Sequence, residues 1–177
     1  MNRPRFSPLQ TIPILAVLCT STLFAQEMHQ HAPSVPSKSL TVRSSDGKTL
    51  TLNPQELATL PHKSVAVLNA HTKANETYSG VPLASLLDRV GAPLGEKVHG
   101  AVLMTGVVAE GTDGYKVLFA LAEVDTAFHN GDVIVADSVD GHPLGEDGAF
   151  KLVSTEDKRP ARWVRNLTAI SVFNAKR

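Results

Sequence analysis

The chain has 177 residues, 42% of them hydrophobic, with 17 basic and 17 acidic side chains and no formal net charge, the composition of an ordinary one-domain globular protein. Neutrality argues against a nucleic-acid binder, which needs a basic excess across the whole domain. A lone cysteine, Cys19, excludes a disulfide framework.

The first residues read as a secretory signal peptide, residues 1–25. "MNRPRF" carries two arginines and no acid, "IPILAVLCTSTLF" is an apolar run, and "LFAQE" offers an alanine exit, which places the cut after Ala25. Ile12 to Phe24 is too short to span a bilayer, where roughly 20 apolar residues are needed. Cys19 follows Leu18, not a small residue, so it is no lipid-attachment site and leaves with the signal. The remaining chain, Gln26 to Arg177, then has no cysteine and 15 basic against 17 acidic residues. At about 150 residues it buries a core without covalent staples. The expectation is a Sec-exported, periplasmic or secreted protein with no membrane span after signal removal.

"QEMHQHAPSVPSK", residues 26–38, mixes Pro, Ser, Gln and His and reads as a flexible leader, with the domain spanning 39–177. "LTVRSSDGKTLTLN" alternates apolar and polar residues around Asp46-Gly47, which predicts a hairpin. Asn53 followed by Pro54 opens a helix over "NPQELATL" that stops at Pro61. "KSVAVLNA" and "ETYSG" read as strands, and "VPLASLLDRVGAP" as a helix with Leu83, Leu86, Leu87 and Val90 on one face and Gly91 at its end. "HGAVLMTGVVAEGTDGYKVLFALAEV" gives an apolar strand, a turn at Asp113-Gly114, a strand from Tyr115 to Phe119 and a short helix near Ala120. "DVIVADSVDGHPL" is a strand and hairpin bending at Asp140-Gly141, and "AFKLVS" and "NLTAISVF" are the final strands. Many short strands and three short helices, without regular alternation, predict an α+β domain built on a mixed β-sheet.

The succession "YSGVPLASLLDRVGAP", "DGYKVLFALAEVD", "DVIVADSVDGHPL" and "GAFKLVSTEDKRPARWVRNLTAISV" resembles the oxidoreductase molybdopterin-binding domain, the fold shared by sulfite oxidase and the bacterial molybdenum-dependent methionine sulfoxide reductases. The resemblance runs from about Leu40 onward and is nearest to the short single-domain members. It implies a mixed sheet around a pyranopterin pocket whose metal takes one cysteine thiolate, the soft ligand that such a centre needs. That cysteine is expected between Val65 and Thr72, ahead of the helix start at Gly80 to Leu83. Leucine, asparagine and histidine stand there instead, and neither Asn69 nor His71 replaces a thiolate. The signal points the same way, because relatives load the cofactor before export as folded proteins. Arg3 and Arg5 are separated by Pro4, and a Sec-type signal delivers an unfolded, empty chain.

Charge is unevenly spread: Glu110 to Asp147 holds nine acids against Lys116 alone, whereas Lys151 to Arg177 holds seven bases against Glu156 and Asp157. The run "KRPARWVR" contains Lys158, Arg159, Arg162 and Arg165. By the resemblance, Arg162 and Arg165 match positions near the pterin phosphate, and arginine's planar fork suits phosphate oxygens. The competing reading is a solvated loop that balances Glu156, Asp157 and the acidic middle of the chain, with Trp163 as a packing residue. Tyr115 is a further candidate for the cofactor cleft.

His29 and His31 in the leader offer a copper or nickel site if the signal is cut after Gln26. The other histidines show no ligand spacing. "EGTDGYK" and "DSVDGHPLGEDG" lack the register of a calcium loop, and no nucleophile elbow, phosphate loop or H-E-x-x-H helix is present. Asn75-Glu76-Thr77 and Asn166-Leu167-Thr168 match glycosylation sequons.

The leading expectation is therefore an exported, non-catalytic binding or accessory module, expected to carry no cofactor, with a small anionic ligand or an exported protein as partner. The alternatives are a molybdopterin-dependent oxidoreductase that holds the pterin without a protein thiolate, with Asn69 and His71 near the metal, and a metal-handling protein working through His29 and His31.

Overall fold

The structure is a computed structural model and describes residues 35–69 and 72–175. The signal segment with Cys19, the His29 and His31 pair and His71 lie outside those residues.

The alternating segments form β1 (Leu40–Arg43) and β2 (Thr49–Leu52), an antiparallel hairpin with Val42 opposite Leu50 and Gly47 at φ +94° in the turn. Asn53 caps α1 (Pro54–Ala58) reciprocally: its side chain accepts from the Glu56 N–H at 2.9 Å, and the Glu56 carboxylate accepts from the Asn53 N–H at 2.8 Å. So short a helix does not sustain itself in isolation, and fully buried Leu57 anchors it. β3 (Lys63–Leu68) pairs with β4 (Asn75–Pro82), and α2 (Leu83–Arg89) buries Leu83, Leu86 and Leu87.

Three elements differ from the sequence expectation. β4 runs on through Val81 and Pro82, which pair with Val135 and Ile134, so the helix begins only at Leu83. The apolar stretch before β5 (Thr105–Gly111) is a 3-10 turn, Gly100–Met104, entered through Gly100 at φ +57°. β6 (Lys116–Ala120) follows the Asp113-Gly114 turn, and the helix expected near Ala120 is a single 3-10 turn, Leu121–Glu123. β7 (Val133–Val139), β8 (His142–Pro143), β9 (Lys151–Ser154) and β10 (Leu167–Asn174) complete the fold.

The strands form two five-stranded sheets. The first has the order β2-β1-β10-β5-β6, with only β1 and β10 parallel; the second runs β3-β4-β7-β8, with β9 also paired to β7. The main core takes Val42, Val107, Phe119 and Ile170 from the first sheet, Val81, Val135 and Leu152 from the second, and the leucines of both helices. The second sheet is buried on its other face as well: Val65, Val67, Tyr78, Ile134, Ala136, Leu144 and Val153 make a smaller cluster against which Trp163 packs. This explains why β9 is buried at every position, as a strand covered on both sides must be.

Gly80 sits where β4 slips register against β7, and a Cβ there would lie 2.2 Å from the Val135 carbonyl oxygen. Gly80→Ala should therefore force the two strands apart and lower unfolding free energy by about 1–3 kcal/mol, measurable by urea titration.

Asn166 ties the N-terminal entry to the rest of the domain. It is buried at φ +48°; its backbone N–H donates to the Asp147 carbonyl at 2.7 Å, its carbonyl accepts from the Thr112 N–H at 3.0 Å, and its side-chain oxygen accepts from the Ser37 N–H at 3.3 Å. Thr112 also donates its hydroxyl to the Val35 carbonyl at 2.6 Å, so the packed chain begins ahead of Leu40, where the alternation starts.

His62 joins the segment after α1 to β7: Nε2 lies 2.8 Å from an Asp137 carboxylate oxygen, and Nδ1 lies 2.7 Å from the Leu60 carbonyl. Desolvation pulls its pKa down, but the bonds to Asp137 and Leu60 outweigh it, and the net value stands above the ordinary 6.5. A pKa raised by folding stabilises fully below the unfolded value and fades as pH rises through the folded one. His62→Ala should accordingly cost more stability in mildly acidic than in alkaline buffer, read as urea midpoints of both chains in each.

Candidate functional site

The site is built around a lysine that the fold has buried. Lys151 opens β9 on the same sheet face as Val153, and its side chain is only 8% exposed. A buried ammonium must be paired, and three elements supply the partners. The turn Gly145–Asp147 brings the Asp147 carboxylate to 2.6 Å from Nζ, and β4 brings the Tyr78 hydroxyl to 2.8 Å. The faces of Tyr78 and Trp163 lie 4.6 and 5.2 Å from the charge, ring centroid to Nζ, and the two rings meet edge to face.

Tyr78 in turn donates its hydroxyl to Glu76 at 2.8 Å, whose other carboxylate oxygen accepts from the Asn69 amide at 2.5 Å. Burial, followed by the bond to Glu76, pushes the Tyr78 pKa well above its ordinary value, so the phenol stays protonated and keeps donating. One hydrogen-bonded line thus runs from Asn69 at the end of β3 through Glu76, Tyr78 and Lys151 to Asp147.

Trp163 is fixed by the backbone around it. The 3-10 turn Pro160–Arg162 leads into Trp163, and the next residue, Val164, makes an antiparallel bridge to Leu152 with bonds of 2.9 and 3.1 Å. The indole N–H donates to the Ser154 carbonyl at 2.9 Å, so the ring presents its face and not a donor to neighbouring space.

Two adjoining cavities result. One, of about 380 Å³, is lined by Asn69, Asp147, Lys151, Pro160, Trp163 and Arg165. The other, of about 230 Å³, shares Pro160, Trp163 and Arg165 and adds Asp113 and Tyr115.

The basic run divides in two. Arg162 gives Nε and Nη2 to Asp157 at 3.1 and 2.6 Å and Nη1 to Glu123 at 3.1 Å, with its guanidinium 4.3 Å from the Phe119 ring centroid. The bonds to Asp157, then that to Glu123, raise its pKa against desolvation, and it lines neither cavity. Arg165 lines both, its side chain is 69% exposed, and its one ion pair among the described residues, to Asp147, is long at 3.8 Å. Lys158 and Arg159 are exposed and line neither cavity. Of the residues singled out from sequence, the structure brings together Asn69, Arg165 and Tyr115 and sets Arg162, Lys158 and Arg159 apart; His71 lies outside the described residues. Lys151, Tyr78, Asp147 and Asp113 carry no signal beyond ordinary strand and turn patterns.

The donor set does not fit a thiolate-bound metal. The described residues contain no cysteine, and none of their His, Cys, Asp and Glu side chains form a group of three placed to hold an ion. Asn69, on the cavity wall within the segment where the resemblance calls for a thiolate, offers a neutral amide that is already engaged with Glu76.

No protein-family model and no curated protein sequence matches the chain. Among solved structures, the sulfane dehydrogenase SoxCD from Paracoccus pantotrophus aligns with a TM-score of 0.59 and 18% identity, over 77% of this chain and 38% of that one. The likeness is one of fold. It bears out the mixed α+β architecture, and the aligned part is well under half of the neighbour's length.

The buried pair yields an asymmetric prediction. Removing Asp147 leaves an uncompensated ammonium, a loss of about 3–5 kcal/mol for buried pairs, whereas Lys151→Met replaces the charge by apolar volume and leaves Asp147 with access to water. Asp147→Ala should therefore lower unfolding free energy more than Lys151→Met does, as measured by urea titration of both variants.

Proposed function

We propose that this chain is an exported binding or accessory module whose ligand is a small anion held between Lys151 and Arg165. One observation carries the reading: the Lys151 ammonium has three donors, Asp147 and Tyr78 take two, the third has no hydrogen-bond partner among the described residues, and Lys151 and Arg165 line one cavity. Lys151 and Arg165 against Asp147 leave that cavity with one excess positive charge. The lysine is already desolvated and oriented, so an anion meets a pre-ordered donor, and exposed Arg165 closes on it with a planar fork. Export rests on the signal-like first residues.

The alternative is a molybdopterin-dependent oxidoreductase, and the fold likeness supports it. The absence of a described thiolate and the neutral, engaged Asn69 count against it.

Thermal unfolding of the purified protein with sulfate or phosphate, against chloride at matched ionic strength, tests the anion site. A ligand bound only by the folded chain stabilises by RT ln(1 + [L]/Kd), about 2.7 kcal/mol at a hundredfold excess over Kd. The midpoint should rise more in the wild type and in Arg162→Ala than in Arg165→Ala, which should show only the general salting-out effect of sulfate common to all three. A rise of equal size in Arg165→Ala sinks the anion site, and stoichiometric molybdenum with released pterin in the purified protein replaces it with the oxidoreductase reading.

A further inference from the structure

The two cavities share a wall but differ in charge: the lining of the first carries one excess positive charge, whereas in the second Asp113 offsets Arg165. At one end stand Lys151 and Arg165; at the other is Asp113, whose Oδ1 accepts from the Tyr115 N–H at 3.0 Å and whose carboxylate makes no ion pair among the described residues. Arg165 lies between them and is drawn toward Asp147 at 3.8 Å. The connecting wall is Pro160 and Trp163, and Tyr115 also lines the second cavity. Trp163 and Tyr115 are each held by polar bonds, the indole N–H by Ser154 and the phenol hydroxyl by the Ala161 carbonyl. Both therefore contribute ring surface, which attracts a cation and tolerates alkyl groups on it.

A plain anion uses half of this cleft and, if it is long, meets Asp113 as a like charge. A molecule with a negative and a positive end satisfies both.

We infer that the cleft takes a small dipolar ligand, a carboxylate at Lys151 and Arg165 joined to an alkylated ammonium held by Asp113 between the Trp163 and Tyr115 rings. This rests on the anion site proposed above and adds a second pole to it. Asp113, not Arg165, becomes the residue that separates dipolar from simple anionic ligands. Specificity of this kind arises from the mismatch that a wrong ligand leaves behind: acetate leaves the carboxylate unpaired, and a bare tetramethylammonium ion leaves the lysine unpaired.

The test uses thermal unfolding of the full purified chain with glycine betaine and the longer gamma-butyrobetaine, two spacings of the same pair of charges, against acetate and tetramethylammonium supplied together at the same concentration. One of the two betaines should raise the midpoint beyond the mixture of separate ions. Asp113→Asn should lose that gain while keeping the sulfate-dependent shift that Arg165→Ala loses. If sulfate acts through Arg165 but neither betaine exceeds the mixture, or if Asp113→Asn responds to the betaine as the wild type does, the dipolar ligand is overturned and the anion site stands. If sulfate fails to act through Arg165, the anion site itself is overturned. Asp113→Asn keeps the size and the turn-forming oxygen of the side chain, so a folded variant with a normal sulfate response separates loss of binding from loss of structure.

Discussion

A buried ammonium organises this domain. Lys151 has almost no contact with water, and everything within reach of its charge has a counter-role: Asp147 neutralises it, Tyr78 shares its proton-donor chain with Glu76, and the rings of Tyr78 and Trp163 lend it their negative faces. An isolated charge of this kind costs many kcal/mol to desolvate, so its partners are held to their places by that cost. The consequence reaches the backbone. The turn that carries Asp147 is fixed by Asn166, whose amide N–H and side chain bond the carbonyls of Asp147 and Glu146 and whose side chain leaves no room for a Cβ at Gly148.

The second sheet makes this possible. Covered on one face by the main core and on the other by a smaller cluster, it allows one lysine in a fully buried strand to lie against aromatic rings on the wall of a cavity. The bridge between Leu152 and Val164 ties the basic loop to the same strand, so Lys151 and Arg165 each stand next to a bridged residue. An anion held as proposed would ask for little ordering beyond the Arg165 side chain.

Local chemistry made much of the fold legible. The capping pair Asn53 and Glu56, the glycine turns at Gly47 and Gly141, and the leucine face of α2 depend on residues a few positions apart, and a reader of the sequence finds them. The site was legible only in part. Arg162 and Arg165 look equivalent as letters, but the 3-10 turn at Pro160 sends the first to Asp157 and Glu123, while the bridge at Val164 brings the second to the cavity. Lys151 reads as the polar first residue of a short strand, because its burial depends on Tyr78, 73 residues earlier in the chain. Pairings across such separations leave no periodic trace.

Asn166 carries one more consequence, in the chemistry of expression. It begins a glycosylation sequon, yet it is 4% exposed and in the left-handed region, with its amide and carbonyl groups bonded to three separate segments. A eukaryotic secretory pathway attaches sugars as the chain emerges, before Asn166 has gone inside, and a glycan there would keep Ser37, Thr112 and the Asp147 turn from ever closing on it. The other sequon begins at exposed Asn75 and carries no such conflict. Bacterial production leaves Asn166 bare and free to fold inward.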